Sequence, residues 1–471
     1  MSDLVLFNLV AVISLRWVSA SVKAAGPGAL VLWVAAAALF FLPQGLAVIE
    51  LSSRFPKEGG IYSWTKLMLG EKHGFLCGWC YWINNVLYFP SGLIRGAIVA
   101  TYVFGHDGGG LTNNWVYVLT FTLISLWLAT SLNMIGVGAG KWLQNVGGIS
   151  VYIPGLLLIL LGAWAALTRP AANPLTFGGL LPEVSNLQSL NLWATIPFAY
   201  AGLELSATMG QEVQNPLRNL PLSYYIAAPL ITLFCTLGSL AMLWLVPAAE
   251  INIAAAHFPA IAAGARSLGE AFLWLIPLAA LCSILSRIGS LGAWLSGSAR
   301  VAFVVGIDRY LPPAFGRLHP RWGTPYVAIV VQATLATGFL LLSVLGKGTT
   351  VEHSFLVLVD TALLLYFIPY VYLFVCFLLS SVRERSGSGV FGGRYFPLAV
   401  GTSGLLVTLF AMMVAMIPPP GTSSPWGFVT KVVGGAAAFL IAGGVIYWHA
   451  RRNNEAPLPS AAPGRGDQAA L

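Results

Sequence analysis

Charge is what this sequence lacks most. Acidic and basic side chains together make 8% of its 471 residues, against about 25% in soluble domains. So few charges cannot clothe a water-facing surface, and a mean hydropathy of +0.80 points the same way. A soluble enzyme or binding module is excluded. Histidine is also sparse. His73, His106, His257, His319, His353 and His449 all fall near loops, so the apolar stretches hold no cluster of ligands or catalytic bases. Five scattered cysteines exclude a disulfide framework. Two of them, Cys77 and Cys80, share a "CGWC" string, but no second pair accompanies it and it opens an apolar helix. They read as two packed thiols. "GVGAGKW" (Gly136 to Trp142) lacks the spacing of a phosphate loop and the Ser/Thr that would follow it, so it reads as a small-residue turn entering the next apolar run. No cofactor, no metal and no enzymatic activity are expected.

What the sequence does have is long apolar runs. Membranes are spanned by helices or by closed barrels, and barrel strands alternate over about ten residues. Here the runs are continuous for roughly 20 residues, the length of a membrane-crossing helix. The spans are placed at 4–24, 28–50, 73–104, 114–133, 143–167, 190–211, 221–246, 270–304, 324–345, 353–379, 395–417 and 427–449. The fold class expected is an all-α polytopic membrane protein of about twelve transmembrane helices, forming one membrane domain over 1–450. Residues 451–471 turn polar and are expected to be a disordered cytoplasmic tail. The first run lacks a basic flank and a cleavage site, so it reads as a retained span.

The net charge of +8 does not point to nucleic acid, because no basic patch with interleaved aromatics forms. With the N terminus placed in the cytoplasm, sixteen Lys/Arg fall in inner loops and tail and five in outer loops. That asymmetry orients the chain with both ends inside, in a plasma or inner membrane and surrounded by its lipids. Oligomeric state is not legible. The three remaining basic residues, Arg16, Arg95 and Arg287, fall inside spans.

A charge at mid-bilayer persists where it faces protein or a water-filled cavity. In span 1, Arg16 lies in "SLRWVSAS" (Ser14 to Ser21), and in span 6 Glu204 lies in "GLELSAT". The two strings align with one gap: Ser14 with Gly202, Leu15 with Leu203, Arg16 with Glu204. Interrupted helices at corresponding places in two halves point to the midplane binding site of an inverted-repeat transporter.

Three longer strings carry a resemblance. "FFLPQGLAVIELSSRFPKEGGIYSWTKLMLG" (Phe40 to Gly70), "FAYAGLELSATMGQEVQNPLRNLPLS" (Phe198 to Ser223) and "GSARVAFVVGIDRYLPPAFGRLHPRWGTPYVA" (Gly297 to Ala328) resemble the span-2, span-6 and span-8 signatures of the amino acid–polyamine–organocation transporters. The resemblance is greatest to the glutamate/γ-aminobutyrate antiporter-like branch of amino acid permeases, and plant polyamine-uptake carriers share much of the second string. It implies a LeuT-like 5+5 architecture, with inverted repeats at about 4–167 and 190–379 and peripheral spans over 395–449. It also implies a substrate site at the two breaks: Ser14, Leu15, Arg16 and Trp17 from span 1, and Tyr200, Ala201, Gly202 and Glu204 from span 6. Where such transporters carry a glycine-rich break in span 1, this chain has Ile13 to Trp17.

The function expected is secondary active transport of amino acids by alternating access, proton-coupled or exchange-driven. A polyamine or organic cation carrier of the same fold and a non-transporting sensor are the alternatives. Arg16 and Glu204 either hold the carboxylate and ammonium of a small-molecule amino acid or amine, or pair with each other as a structural tie. Glu204 is the candidate proton carrier. Arg287, a second coupling candidate, either replaces a coupling sodium, or snorkels or pairs with Asp360 of span 10. Trp17, Tyr200 and Trp294 are candidate gates, and Asn84, Asn85 and Tyr88 line a cavity or hold helices together. Glu212 and Arg218 read as solvated loop charges, with inner gate contacts as the alternative.

Overall fold

The computed structural model describes residues 1–104, 111–181, 196–251, 257–345, 350–383, 395–418 and 424–455, with side chains except at 137, 345, 350–360, 383 and 454–455. All regular structure among them is helical. Among the described residues eleven helices are long and apolar enough to cross a membrane. They are span 1 (Ser2–Ala25), span 2 (Gly28–Arg54), span 3 (Glu71–Phe104), span 4 (Trp115–Met134), span 5 (Gly138–Thr168), span 7 (Pro216–Leu245), span 8 (Glu270–Ile307), span 9 (Tyr326–Val344), span 10 (Thr361–Val382), span 11 (Tyr395–Ala415) and span 12 (Pro425–Asn453). Span 6 is the exception in kind. Of it, residues 196–212 are described, and they form two short pieces either side of a break. Its expected start at 190–195 lies outside the described residues.

Apolar association supplies little force between helices in lipid, so packing and small residues carry it. Span 5 crosses span 8 at two glycines: a Cβ on Gly147 would lie 2.7 Å from the Cα of Gly289. Phe234 of span 7 fills the notch at Gly155, where a Cβ would lie 1.7 Å from its ring. Spans 5, 7 and 8 are thereby drawn together beside span 1. Spans 11 and 12 lie outside this group, with most of their surface unburied.

Span 2 has a wide turn at Ala37–Phe41. Its cause is Pro43, which has no N–H to offer the carbonyl four residues back. That carbonyl, of Leu39, instead accepts a hydrogen bond from Ser403 Oγ of span 11 at 2.9 Å. After span 2 the chain reverses through Gly59 (φ +84°) and Gly60 (φ +44°) into the short helix Ile61–Leu69. This turn presses against the second piece of span 6: Gly59 N–H donates to the Thr208 carbonyl at 2.9 Å.

At the far end, span 12 continues as helix to Glu455. Arg451 and Arg452 therefore close a helix, where cations meet its negative end favourably, instead of opening a polar tail. Residues 456–471 lie outside the described residues. "CGWC" is helical, and all five cysteines are free and buried.

Candidate functional site

Span 1 is two helices. Ser2–Val12 ends where Ile13 (ψ 121°) and Ser14 (φ −143°, ψ 113°) are extended, and Leu15–Ala25 resumes the winding. A break of this kind strands carbonyls of the first helix and N–H groups of the second. The Ala11 carbonyl, which would have met Leu15, accepts a hydrogen bond from the Trp294 indole of span 8 at 3.1 Å. The freed N–H groups at the start of Leu15–Ala25 form the positive end of a helix dipole.

Span 6 breaks at Ala201 and Gly202. The φ of +131° at Gly202 is open to glycine and costly for residues with a Cβ. Beyond it, Leu203–Glu212 winds tightly, with three residues per turn. A Cβ on Gly202 would lie 3.1 Å from Trp294 and 3.3 Å from Val12. The two breaks thus lie against each other, with the Val12 side chain and the Ala11 carbonyl facing Gly202, and Trp294 braces both.

Glu204 is fully buried and saturated with donors. Its Oε2 accepts from Tyr370 Oη at 2.7 Å, Gln44 Nε2 at 2.9 Å and the Gly202 N–H at 3.1 Å, and its Oε1 from Tyr81 Oη at 3.0 Å. One carboxylate therefore ties span 6 to spans 2, 3 and 10.

Beside the breaks lies a cavity of about 120 Å³, lined by Ala11 to Ser14, Trp17, Asn84, Asn85, Tyr88, Phe198, Ala199, Ala201, Arg287, Ser290, Trp294 and Tyr366 among others. Cavities of roughly 150 Å³ admit a molecule the size of benzene, so this one suits a compact solute. A second cavity of about 60 Å³ adjoins it through Ile13, Ser14, Arg287 and Ser290, and adds Leu15, Arg16 and His257 to the lining. Burial holds the His257 imidazole neutral, its pKa lowered to about 3.

The cations converge on Tyr88. Its hydroxyl accepts from Arg16 Nη1 at 3.3 Å and from Arg95 Nη2 at 3.4 Å. Arg95 also reaches Ser91 Oγ at 3.2 Å, and the Arg16 guanidinium lies 4.4 Å from the Trp17 ring centroid. Among the described residues no carboxylate pairs with Arg16, Arg95 or Arg287. Two charges about 7 Å apart at an effective dielectric near 20 repel by roughly 2 kcal/mol, so the grouping is an electrostatic cost.

On the side of the bundle that carries Met1, a wider vestibule of about 320 Å³ is lined by Asp3, Lys141, Glu212 and Arg300 among others. Lys141 pairs with Asp3 at 2.6 Å, joining span 5 to the base of span 1. Arg300, 3% exposed, grips Glu212 with two parallel bonds: Nε to Oε1 at 2.8 Å and Nη2 to Oε2 at 2.6 Å. The nearby Glu58 carboxyl, in the turn after span 2, is raised above its usual range by desolvation.

Of the eight residues expected at the substrate site, Ser14, Trp17 and Ala201 line the central cavity, and Leu15 and Arg16 line the second. Gly202 stands behind the lining as the pivot. Tyr200 turns away from both cavities: its ring stacks on Phe41, with centroids 4.5 Å apart, and its hydroxyl donates to the Trp33 carbonyl. Arg16 and Glu204 form no ion pair, because each is engaged by other partners; of the two alternatives for them, the structural tie is corrected. Glu212, expected as a solvated loop charge, instead forms a bidentate pair with Arg300, which lies inside the span 8 helix and not in a loop. Arg287 faces both cavities, and the side chain of Asp360 lies outside the described residues. Asn84, Asn85 and Tyr88 line the cavity. Sequence reasoning missed Arg95 and the Glu204 cage of Gln44, Tyr81 and Tyr370. Arg95 had a signal: Tyr88, Ser91 and Arg95 recur at helical spacing on one face of span 3.

Comparison with known proteins accords with this geometry. The amino acid permease family model matches residues 4–438. The chain belongs to that family. It is 30% identical over 428 residues to an uncharacterized transporter of Legionella pneumophila, covering 88% of this chain and 89% of the other. Two Lactococcus lactis proteins are also similar. One is named a probable agmatine/putrescine antiporter, 25% identical over 77% of this chain and 76% of its own. The other is named a glutamate/gamma-aminobutyrate antiporter, 24% identical over 81% and 76%. Among solved structures, MhsT in complex with L-phenylalanine aligns over 94% of this chain and 98% of its own, with a TM-score of 0.60 at 13% identity. That likeness establishes the LeuT-type fold. The chain is an integral, multi-pass membrane transporter and not an enzyme.

Proposed function

We propose that the protein is a secondary carrier that moves a small amino acid across the membrane by alternating access, driven by exchange or by protons. The observation that carries this reading is the meeting of two interrupted helices, Gly202 against Ala11 and Val12, beside a cavity lined by both. Spans 1–5 and 6–10 act as inverted repeats, and the lysine–arginine asymmetry supports a topology with both termini in the cytoplasm. The cargo carboxylate docks at the start of Leu15–Ala25, where unpaired N–H groups and the helix dipole favour an anion.

Glu204 already accepts four hydrogen bonds from the protein and lines neither cavity, so its part is coupling. A proton on this carboxyl converts an acceptor of four bonds into a group that must itself donate. The hold of span 6 on spans 2, 3 and 10 then loosens. Arg287 is a fixed cation at the cavity wall, which makes a coupling sodium redundant. The names of the Lactococcus lactis relatives support exchange. Of the two cargo types in those names, a polyamine is disfavoured by the Arg16 and Arg287 guanidinium groups in the cavity walls.

The test is counterflow of labelled amino acids and amines into proteoliposomes holding the purified protein, with and without sodium and a pH gradient. Exchange of an amino acid that ignores sodium is expected. Binding without movement of any solute would identify a sensor and overturn the proposal.

A further inference from the structure

The second, smaller cavity has a wall that the carriage of one cargo does not explain. Its polar side chains are two guanidinium groups, Arg16 and Arg287, the His257 imidazole and four serine hydroxyls; no carboxylate or amide side chain lines it. We propose that this cavity holds a small inorganic anion of the chloride type as a resident ligand, bound apart from the cargo. The inference stands whichever solute the central cavity carries.

Charge is the first observation. Among the described residues no carboxylate pairs with Arg16 or Arg287, and charges held away from water without a counterion are costly. Unspent donors are the second. Arg16 Nε and His257 Nδ1 are buried with no hydrogen-bond partner, and His257 is 4% exposed. A guanidinium nitrogen can only donate. His257 Nε2 lies 3.4 Å from Ser283 Oγ; with that hydroxyl donating, the imidazole proton sits on Nδ1. The third is the face of span 8 that meets the cavity, where Ser283, Ser286, Arg287 and Ser290 recur at helical spacing. A helical serine often spends its hydroxyl on the carbonyl four residues back, as Ser19 and Ser298 do. Ser286 and Ser290 make no such bond among the described residues, and Ser14, at the start of the second helix of span 1, makes no capping bond. Their hydroxyls are free to donate inward. Size is the fourth: about 60 Å³ suits a halide or a few waters, whereas the central cavity has about 120 Å³. Neutral His257 adds no charge. Two guanidinium groups and one monovalent anion therefore leave a single positive charge, so the wall still stands in for a coupling cation.

The experiment measures the thermal midpoint of the detergent-purified full chain in sodium gluconate, whose anion is too large for this space. Sodium chloride or bromide is titrated in at constant ionic strength with no cargo present. A saturable rise in midpoint with both halides is expected. Ser286→Asp sets a tethered carboxylate on the same wall. Its midpoint in gluconate should exceed that of the wild type, and added halide should no longer raise it. In crystals of the wild type grown in bromide, anomalous scattering should place one ion between Arg16 and Arg287. Equal midpoints in gluconate and halide overturn the proposal. So does a halide response that Ser286→Asp leaves intact, or bromide found only on the surface, since each marks an adventitious ion only. Where Ser286→Asp fails to fold, the bromide position decides. The readout needs no transport, so halide binding without counterflow would sink the carrier reading alone. Counterflow by a protein indifferent to halide would sink this site alone.

Discussion

Replacing Glu204 by alanine and by glutamine separates its two roles, the structural one and the coupling one. Alanine removes the acceptor of four buried donors: Tyr370, Gln44, Tyr81 and the Gly202 N–H. A buried donor left without a partner costs about 1–3 kcal/mol. Four of them amount to something on the order of the whole stability of a domain, about 5–15 kcal/mol. Glu204→Ala should therefore fail to accumulate as a monodisperse protein. Glutamine keeps an oxygen for the three donors at Oε2 and turns its amide toward Tyr81, whose hydroxyl can rotate to accept. The loss of charge assistance, about 1 kcal/mol per bond, is offset because no charge is buried. Glu204→Gln should fold, exchange cargo within a few-fold of wild type, and show no uptake driven by a pH gradient. Fluorescence-detected size exclusion reads the first outcome, and counterflow beside proton-driven uptake reads the second. An alanine variant as stable as wild type would refute the cage. A glutamine variant that still follows the pH gradient would refute the coupling role.

Three further outcomes follow from the geometry. Gly202→Ala places a Cβ at φ +131°, 3.1 Å from Trp294 and 3.3 Å from Val12. Strain and overpacking of about 1–3 kcal/mol each should lower the thermal midpoint and the rate of counterflow together, and an unchanged rate would show that the pivot is dispensable. Arg300→Gln breaks a pair whose loss costs about 3–5 kcal/mol when buried; because Glu212 is 27% exposed, the lower end applies. The expected readout is faster reaction of a cysteine placed at Ser296 with a membrane-impermeant thiol reagent added on the Met1 side. The carboxyl of Glu58 is raised by burial, so its charged form is a cost to the fold that is present at high pH and absent once pH falls below its ordinary range. Glu58→Gln should accordingly raise the thermal midpoint more at pH 8 than at pH 4, and the opposite trend would contradict that assignment.

Much of the fold was legible because lipid imposes a simple rule. Continuous apolar runs of helical length gave the spans, and basic residues misplaced within such runs marked where helices are not lipid-facing. Both breaks were readable from Arg16 and Glu204, since an ionised group in span 1 or span 6 needs a protein or water neighbour. The partners of those groups were not readable. Charge complementarity suggested that Arg16 and Glu204 belong together, but each was claimed by hydroxyl and amide groups of spans 2, 3 and 10. Contacts between distant segments leave no trace in local periodicity. Tyr200 failed as a cavity residue for a related reason. Its place one residue before the break suits either face, and stacking on Phe41 decided the outcome. Glu212 read as a loop charge because its partner, Arg300 of span 8, lies 88 residues away in the sequence.

The central claim is that cargo occupies the space between the two breaks. An experimental map of the purified protein, saturated with a solute active in counterflow, tests it most directly. The account predicts density against Ser14, Tyr88, Ala201 and Trp294, with one end of the solute at the start of the second helix of span 1. Cargo seated elsewhere, with this cavity closed by its own side chains, would contradict it.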